Sequence, residues 1–316
     1  MKLCVFGAGA VGGALAVRLR QSGQDVSIIA RGAHAKAIQE RGLTLISGDS
    51  RHTVHLPCVS APEHLADLPD VVLVTVKQTQ LPAIAKDLAR LTRAGAWLVL
   101  IANGIPWWFA RELPLPAASA VLEAIDPRGT LHATIDRQRL AFAVVQSSNE
   151  IVEPGVVLST TPERNRLILS PVVPAGSGPV MTALCEVLRS AHYEALEVPD
   201  IRPEIWKKMA FWMAVSPMAA LTGLSLDRLI ADPKSFALMC SVMREMLAIG
   251  QRLGLNLPDD AEERIGFFRD KPTRPSLLQD FELGREPELA SCALIFDEVA
   301  TSLGVAAPHI HLLTSL

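Results

Sequence analysis

Several protein classes are excluded by what the chain lacks. Its five cysteines, Cys4, Cys58, Cys185, Cys240 and Cys292, are scattered over 316 residues with no C-x-x-C spacing. That pattern excludes a disulfide framework or a cysteine zinc site and predicts reduced core thiols in a cytoplasmic protein. His309 and His311 flank a single residue with no third ligand nearby in sequence, so a terminal segment is expected there and no metal site. The net charge is only -3, which supplies no basic field and makes nucleic acid an unexpected partner. The longest apolar run, residues 209–224, is interrupted by Ser216 and Pro217 and falls short of the roughly 20 residues that span a bilayer. A buried helix is expected instead, with no membrane partner. The first strand is expected to begin at residue 2, leaving no room for a targeting segment. Internal repeats and low-complexity tracts are also missing.

What is present is apolar content of 49% and length enough for two domains. The chain opens on an apolar strand that runs into Gly7-Ala8-Gly9-Ala10-Val11-Gly12. In a Rossmann unit the first glycine makes the tight turn, the second lets the backbone approach a pyrophosphate, and the third packs the helix against the strand. Residues 10–21 then read as a helix with Val11, Ala14, Leu15 and Leu19 on one face. The second strand leads to Arg31, where an NAD site would carry an acid for the ribose hydroxyl. An arginine fork there suits a 2′-phosphate, so NADPH/NADP+ is the expected cofactor. Alternative readings are a solvated loop arginine beside Gly32, and a methyltransferase-type or flavin-binding version of the same turn.

Along the N-terminal half, strands alternate with amphipathic helices, the pattern of a parallel sheet covered on both faces. Strands are expected at 43–46, 52–56, 70–76 and 97–101, with a helix over 78–91. From 121 to 160 the pattern shifts to shorter strands, read as antiparallel additions to the sheet. A loop follows over 171–179, then a helix to about 190 and a last strand near 193–198. Residues 199–203 read as a linker. Beyond it only helical spacing appears, over 204–221, 234–253, 259–269, 276–283 and 287–303. The expected fold is therefore an α/β Rossmann-type domain, 1–198, followed by an all-α domain, 199–316.

Ligands of open α/β sheets bind beyond the carboxyl ends of the strands, where Lys77 and Asn103 stand. In the helical half, Glu204-Ile205-Trp206-Lys207-Lys208 offers a lysine within an apolar helix. Desolvation there lowers its pKa and suits it to proton transfer. On spacing alone, a surface lysine paired with Glu204, four residues earlier, is the stronger reading of Lys208.

Taken in order, the G-A-G-A-V-G turn, the V-K after the fourth strand, the N-G after the fifth, the E-I-W-K-K helix, and the late S-L-L-Q-D and P-E-L resemble the ketopantoate reductases. The resemblance runs from about residue 1 to 310 and implies NADPH-dependent reduction of 2-dehydropantoate to (R)-pantoate, on the route to pantothenate and coenzyme A. It also implies a helical domain like the C-terminal domain of 6-phosphogluconate dehydrogenase. Carried over, Lys208 is the catalytic acid and Glu288 the carboxylate that holds the lysine network and the substrate hydroxyl. Ser276 contacts the substrate carboxylate, Asn103 lies near nicotinamide and substrate, and Lys77 and Arg31 contact the cofactor. Ser276 also suits a helix N-cap, and Glu288 a first helical turn where acids are favoured. The pattern departs at Trp212 and Ser216, where the family commonly has asparagines, and at Ala290, where an aspartate is frequent. An indole in place of an amide removes an acceptor and adds bulk. A different 2-oxo or 3-oxo acid substrate, or an NADP(H)-binding regulator without turnover, are the competing readings. The apolar helical domain leaves room for a homodimer.

Overall fold

The apolar run after Met1 forms β1 (Lys2–Phe6), and the glycine turn feeds it into α1 (Ala10–Gln21), the span the periodicity predicts. Next come β2 (Asp25–Ile29), α2 (Gly32–Arg41), β3 (Leu43–Ser47), β4 (Ser50–Val54) and β5 (Cys58–Val59). The chain continues through β6 (Val71–Val74), α3 (Leu81–Arg93) and β7 (Trp97–Ile101). Three short helices follow, α4 (Trp107–Ala110), α5 (Ala120–Ile125) and α6 (Thr130–Thr134). The chain then returns to strands as β8 (Leu140–Gln146), β9 (Asn149–Glu153), β10 (Val156–Ser159) and β11 (Arg166–Pro171), and closes with α7 (Gly178–Ser190) and β12 (Glu194–Glu197). The computed structural model describes residues 1–173 and 178–316, so the loop expected over 171–179 lies partly outside the described residues.

Among the described residues, eight strands form one sheet in the order β12-β11-β8-β7-β6-β1-β2-β5. Neighbours from β5 through β8 run parallel, while β11 runs against β8 and β12 follows β11. Every residue of β6 and β7 is buried, as expected of strands covered on both faces. Leu15 and Leu19 of α1, Val5, Leu73 and Val99 belong to one core cluster. A second sheet has the order β4-β3-β10-β9, in which β3 and β10 are parallel. This corrects in part the expectation of antiparallel additions over 121–160: β9 and β10 do pair antiparallel, but outside the main sheet. Residues 120–125 and 130–134 are helical, β8 joins the main sheet in parallel, and β9 and β10 belong to the other sheet. Val121 and Ile125 are buried four residues apart, a helical spacing that so short an apolar segment does not advertise.

The remaining helices are α8 (Arg202–Thr222), α9 (Leu226–Ala231), α10 (Pro233–Arg252), α11 (Ala261–Gly266) and α12 (Ser276–Glu282). A π-helical segment (Ala290–Leu294) then leads into α13 (Ile295–Leu303), and α14 (Pro308–Ser315) ends the chain. Trp206 joins α8 to α10 by donating from Nε1 to the Met246 carbonyl at 2.7 Å. Its ring meets Phe296 edge-on at 5.3 Å.

Two units emerge: Met1–Ala102 with Ala133–Ile201, and Asn103–His132 with Arg202–Leu316. The cut thus falls at 201/202 where 198/199 was expected, and residues 103–132 group with the helical unit. The cause is aromatic burial. Trp107, Trp108 and Phe109 are buried, and Phe109 meets Trp206 edge-on at 6.3 Å.

Candidate active site

In the first unit the site is built from backbone. Gly7 has φ +102°, and a Cβ there would lie 2.7 Å from Val76 Cγ1. Its N–H donates to the Ile29 carbonyl at 2.9 Å, which fixes the turn to β2. At Gly12 a Cβ would run into the Gly7 carbonyl oxygen and Thr75 Oγ1, so helix and turn touch only because no side chain intervenes. The Thr75 hydroxyl in turn donates to the Gly7 carbonyl. Gly9 faces open space, with nothing within 4 Å of a Cβ position. The start of α1, at Ala10 and Val11, carries no side-chain cap bond and no acid in its first turn. Together with Ala8, these residues leave a helix N-terminus open to a pyrophosphate.

Arg31 precedes α2 in extended conformation, and its side chain is 63% exposed. Its partners are distant: Asp87 at 4.0 Å and the Ser60 carbonyl at 3.5 Å. Its fork is therefore loosely held and accessible to an anion. Lys77 follows β6, and its backbone N–H donates to Gln80 Oε1 at 3.2 Å. Sequence reasoning overlooked His34, one helical turn after Arg31. Its Nδ1 accepts from the Gly155 N–H at 3.0 Å, and burial pushes its pKa down against the Ala8 carbonyl. The only sequence signal was that spacing.

In the second unit the site is built from side chains. Lys208 is partly buried on α8, and burial pushes its pKa down to about 8. Cys292 and Glu288 act in the opposite sense, favouring its charged form. The carboxylate of Glu204 pairs with Lys207 at 2.8 Å. Glu288 lies just before the π-helical segment and Cys292 within it, and the Cys292 N–H donates to the Glu288 carbonyl at 3.1 Å. Cys292 was missed because nothing in its sequence neighbourhood marks it.

Asn103 opens the inserted segment of this unit. The Gly104 N–H donates to Met209 Sδ at 3.2 Å, and the Ile105 N–H to the Ser291 carbonyl at 2.8 Å. The two bonds string the segment after Asn103 between the neighbour of Lys208 and the Glu288–Cys292 turn. Trp212 and Ser216, one and two turns beyond Lys208, are both buried. Ser276 is the first residue of α12 and is exposed. The N-cap position belongs to Pro275, so capping does not account for Ser276. Ala290 begins the π-helical segment. His309 pairs with Glu245 at 2.6 Å and His311 with Asp297 at 3.3 Å. No cluster suited to a metal ion occurs among the described residues. Nor is any helix among them long and apolar enough to cross a membrane.

A doubly wound sheet opening on a glycine turn, with a helical unit that sets a desolvated lysine beside a carboxylate, defines a dinucleotide-dependent oxidoreductase. Two family models agree: Ketopantoate reductase PanE/ApbA matches residues 3–167, and its C-terminal counterpart matches residues 200–316. The chain is 33% identical to a 2-dehydropantoate 2-reductase of Mesorhizobium japonicum, covering 100% of this chain and 96% of that protein. It is similar to the crystal structure of a PanE/ApbA family ketopantoate reductase from Ralstonia eutropha, with TM-score 0.82, 26% identity and coverage of 100% and 96%. The fold also matches D-mandelate dehydrogenase in ternary complex with NADH and anilino(oxo)acetate, with TM-score 0.84, 18% identity and coverage of 100% and 96%. The chain belongs to the ketopantoate reductase family, whose members are nicotinamide-dependent oxidoreductases acting on CH–OH groups.

Proposed function

We propose that the protein reduces 2-dehydropantoate to (R)-pantoate with NADPH. The observation that carries this reading is Lys208: a lysine whose pKa burial pushes down to about 8, facing Glu288 and Cys292. Such a group is still mostly protonated at neutral pH yet gives up its proton more readily than an exposed lysine. Bound NADPH supplies the hydride to the carbonyl carbon. Lys208 delivers the proton to the carbonyl oxygen, Glu288 holds the ammonium and the substrate hydroxyl, and Ser276 takes the substrate carboxylate. The glycine turn and Lys77 hold the cofactor, and Asn103 orients the nicotinamide and substrate. Arg31, standing where an acid would select NAD, pairs with the 2′-phosphate.

A second reading keeps the reaction and changes the acid. Trp212, buried one turn after Lys208, supports it, because the family commonly has an asparagine there and an indole cannot accept a substrate hydroxyl. Purified protein assayed by NADPH oxidation against 2-dehydropantoate and a set of branched 2-oxo acids separates the two. The first reading expects the highest kcat/KM with 2-dehydropantoate. Turnover confined to other acids replaces the substrate, and tight NADPH binding with no turnover on any acid overturns both.

A further inference from the structure

A cavity of about 300 Å³ opens beside the C-terminal half of α1, lined by Arg18, Ser47, Ser50, His52 and His192 among others. It lies wholly within the first unit. Arg18 is six residues beyond Gly12, roughly 9 Å further along the helix axis, so the cavity is separate from the glycine turn. The reductase reaction makes no use of it.

Its chemistry is one-sided. The lining combines a guanidinium and two imidazoles with serine hydroxyls and includes no carboxylate. The nearest acid in sequence, Asp49, sits in the exposed turn between Ser47 and Ser50 and is not part of the lining. The arginine is only partly used. Arg18 Nη2 donates to Ser47 Oγ at 3.3 Å and its guanidinium lies 5.9 Å from the Tyr193 ring centre. Its Nε is buried and has no hydrogen-bond partner among the described residues.

A second observation comes from the backbone. His192 has φ 62°, the left-handed conformation that glycine adopts most easily. It follows α7 at the position where helices commonly end on glycine, and the Tyr193 N–H closes the turn by donating to the Leu188 carbonyl at 3.0 Å. A histidine held there places an imidazole in the cavity wall. The end of α1 does not work against an anion through open carbonyls. Those of Arg18, Leu19 and Arg20 already accept from the backbone N–H groups of Ser22, Gln24 and Gly23.

We infer that this cavity is a binding site for a phosphate group, carried as free phosphate or as a phosphate monoester. The planar arginine fork of α1 matches phosphate oxygens, and hydroxyls and imidazoles of β3, β4 and the turn after α7 line the same volume.

The test is isothermal titration calorimetry of the full chain with inorganic phosphate and with glycerol 3-phosphate, at ionic strength held constant with sodium chloride. Saturable binding is expected, weakened at least tenfold in Arg18→Gln and in His192→Gly. The histidine variant relaxes the left-handed backbone, so its loss of binding reports on the imidazole and not on folding. Tighter binding of glycerol 3-phosphate identifies a phosphorylated metabolite, and tighter binding of inorganic phosphate identifies the free anion. Either result supports the site. Binding that persists unchanged in both variants belongs to the glycine turn and overturns the inference, as does the absence of saturable binding.

Discussion

The first unit presents a ligand with backbone, and the second with side chains. At the glycine turn the partners are Gly7, Gly9 and Gly12, whose contacts exist because side chains are absent, and the helix end they expose carries a fixed partial charge. At Lys208 everything is adjustable: burial lowers the pKa, and Glu288 and Cys292 raise it. Holding a pyrophosphate needs a field that does not titrate, whereas moving a proton needs a group poised to do so. On the proposed function, the two units divide these tasks between them.

The largest effect expected from breaking this division is at Lys208. Lys208→Ala should lower kcat by about 10²–10⁴-fold, the usual contribution of a general acid, while the Kd for NADPH in a fluorescence titration stays unchanged. With the lysine as the proposed proton donor, activity in the unaltered protein is expected below its pKa of about 8 and lost above it. Log kcat should therefore fall towards a slope of -1 above that pH, with NADPH affinity flat from pH 7 to 9. A lysine variant that also loses NADPH would erase the distinction between the units.

Next in size is Arg31→Asp, which should reduce the preference for NADPH over NADH by about 10–100-fold in kcat/KM, the weight of a charge-assisted hydrogen bond. An unchanged cofactor preference would remove Arg31 from the 2′-phosphate site.

The smallest effects sharpen the comparison through two close contacts. Gly12→Ala sets a methyl against the backbone carbonyl of Gly7, which cannot move without opening the turn, and should cost about 1–3 kcal/mol in urea unfolding. Gly250→Ala sets it against the Trp206 indole and the Leu257 side chain. Leu257 can rotate, but Trp206 is tied to the Met246 carbonyl, so the cost should be smaller without vanishing. The reverse order would show that side chains confine the second unit more tightly than backbone confines the first.

The same contrast governs how much was legible in the sequence. The span from β1 through α1 to Arg31 was readable because each step of a Rossmann turn depends on near neighbours. α8 and α10 were placed within about two residues by their apolar spacing. The small sheet was not foreseen. Its β3–β10 pairing joins residues 44–47 to 156–159 by backbone bonds, which leave no periodic trace. The membership of residues 103–132 in the helical unit was hidden likewise, because it rests on buried indoles and on bonds to Met209 and Ser291. Lys208 was visible as a lysine on an apolar helix. Glu288 and Ser276 were visible only through family resemblance, since an acid or a serine at a helix start has a local explanation too.

The π-helical segment at Ala290–Leu294 has a consequence of its own. A π turn spends one more residue than the α-helical path, so it amounts to an insertion absorbed without breaking the helix. Ile295, Phe296 and Val299 are anchored in the core on its far side. Removing one residue from the segment would let the turn close as ordinary α-helix and leave Glu288 and that anchor on nearly the same bearing. The extra residue is thus spent inside the turn, where the Ser291 carbonyl accepts from the Ile105 N–H, and a one-residue deletion would be felt at that bond before it reached the carboxylate.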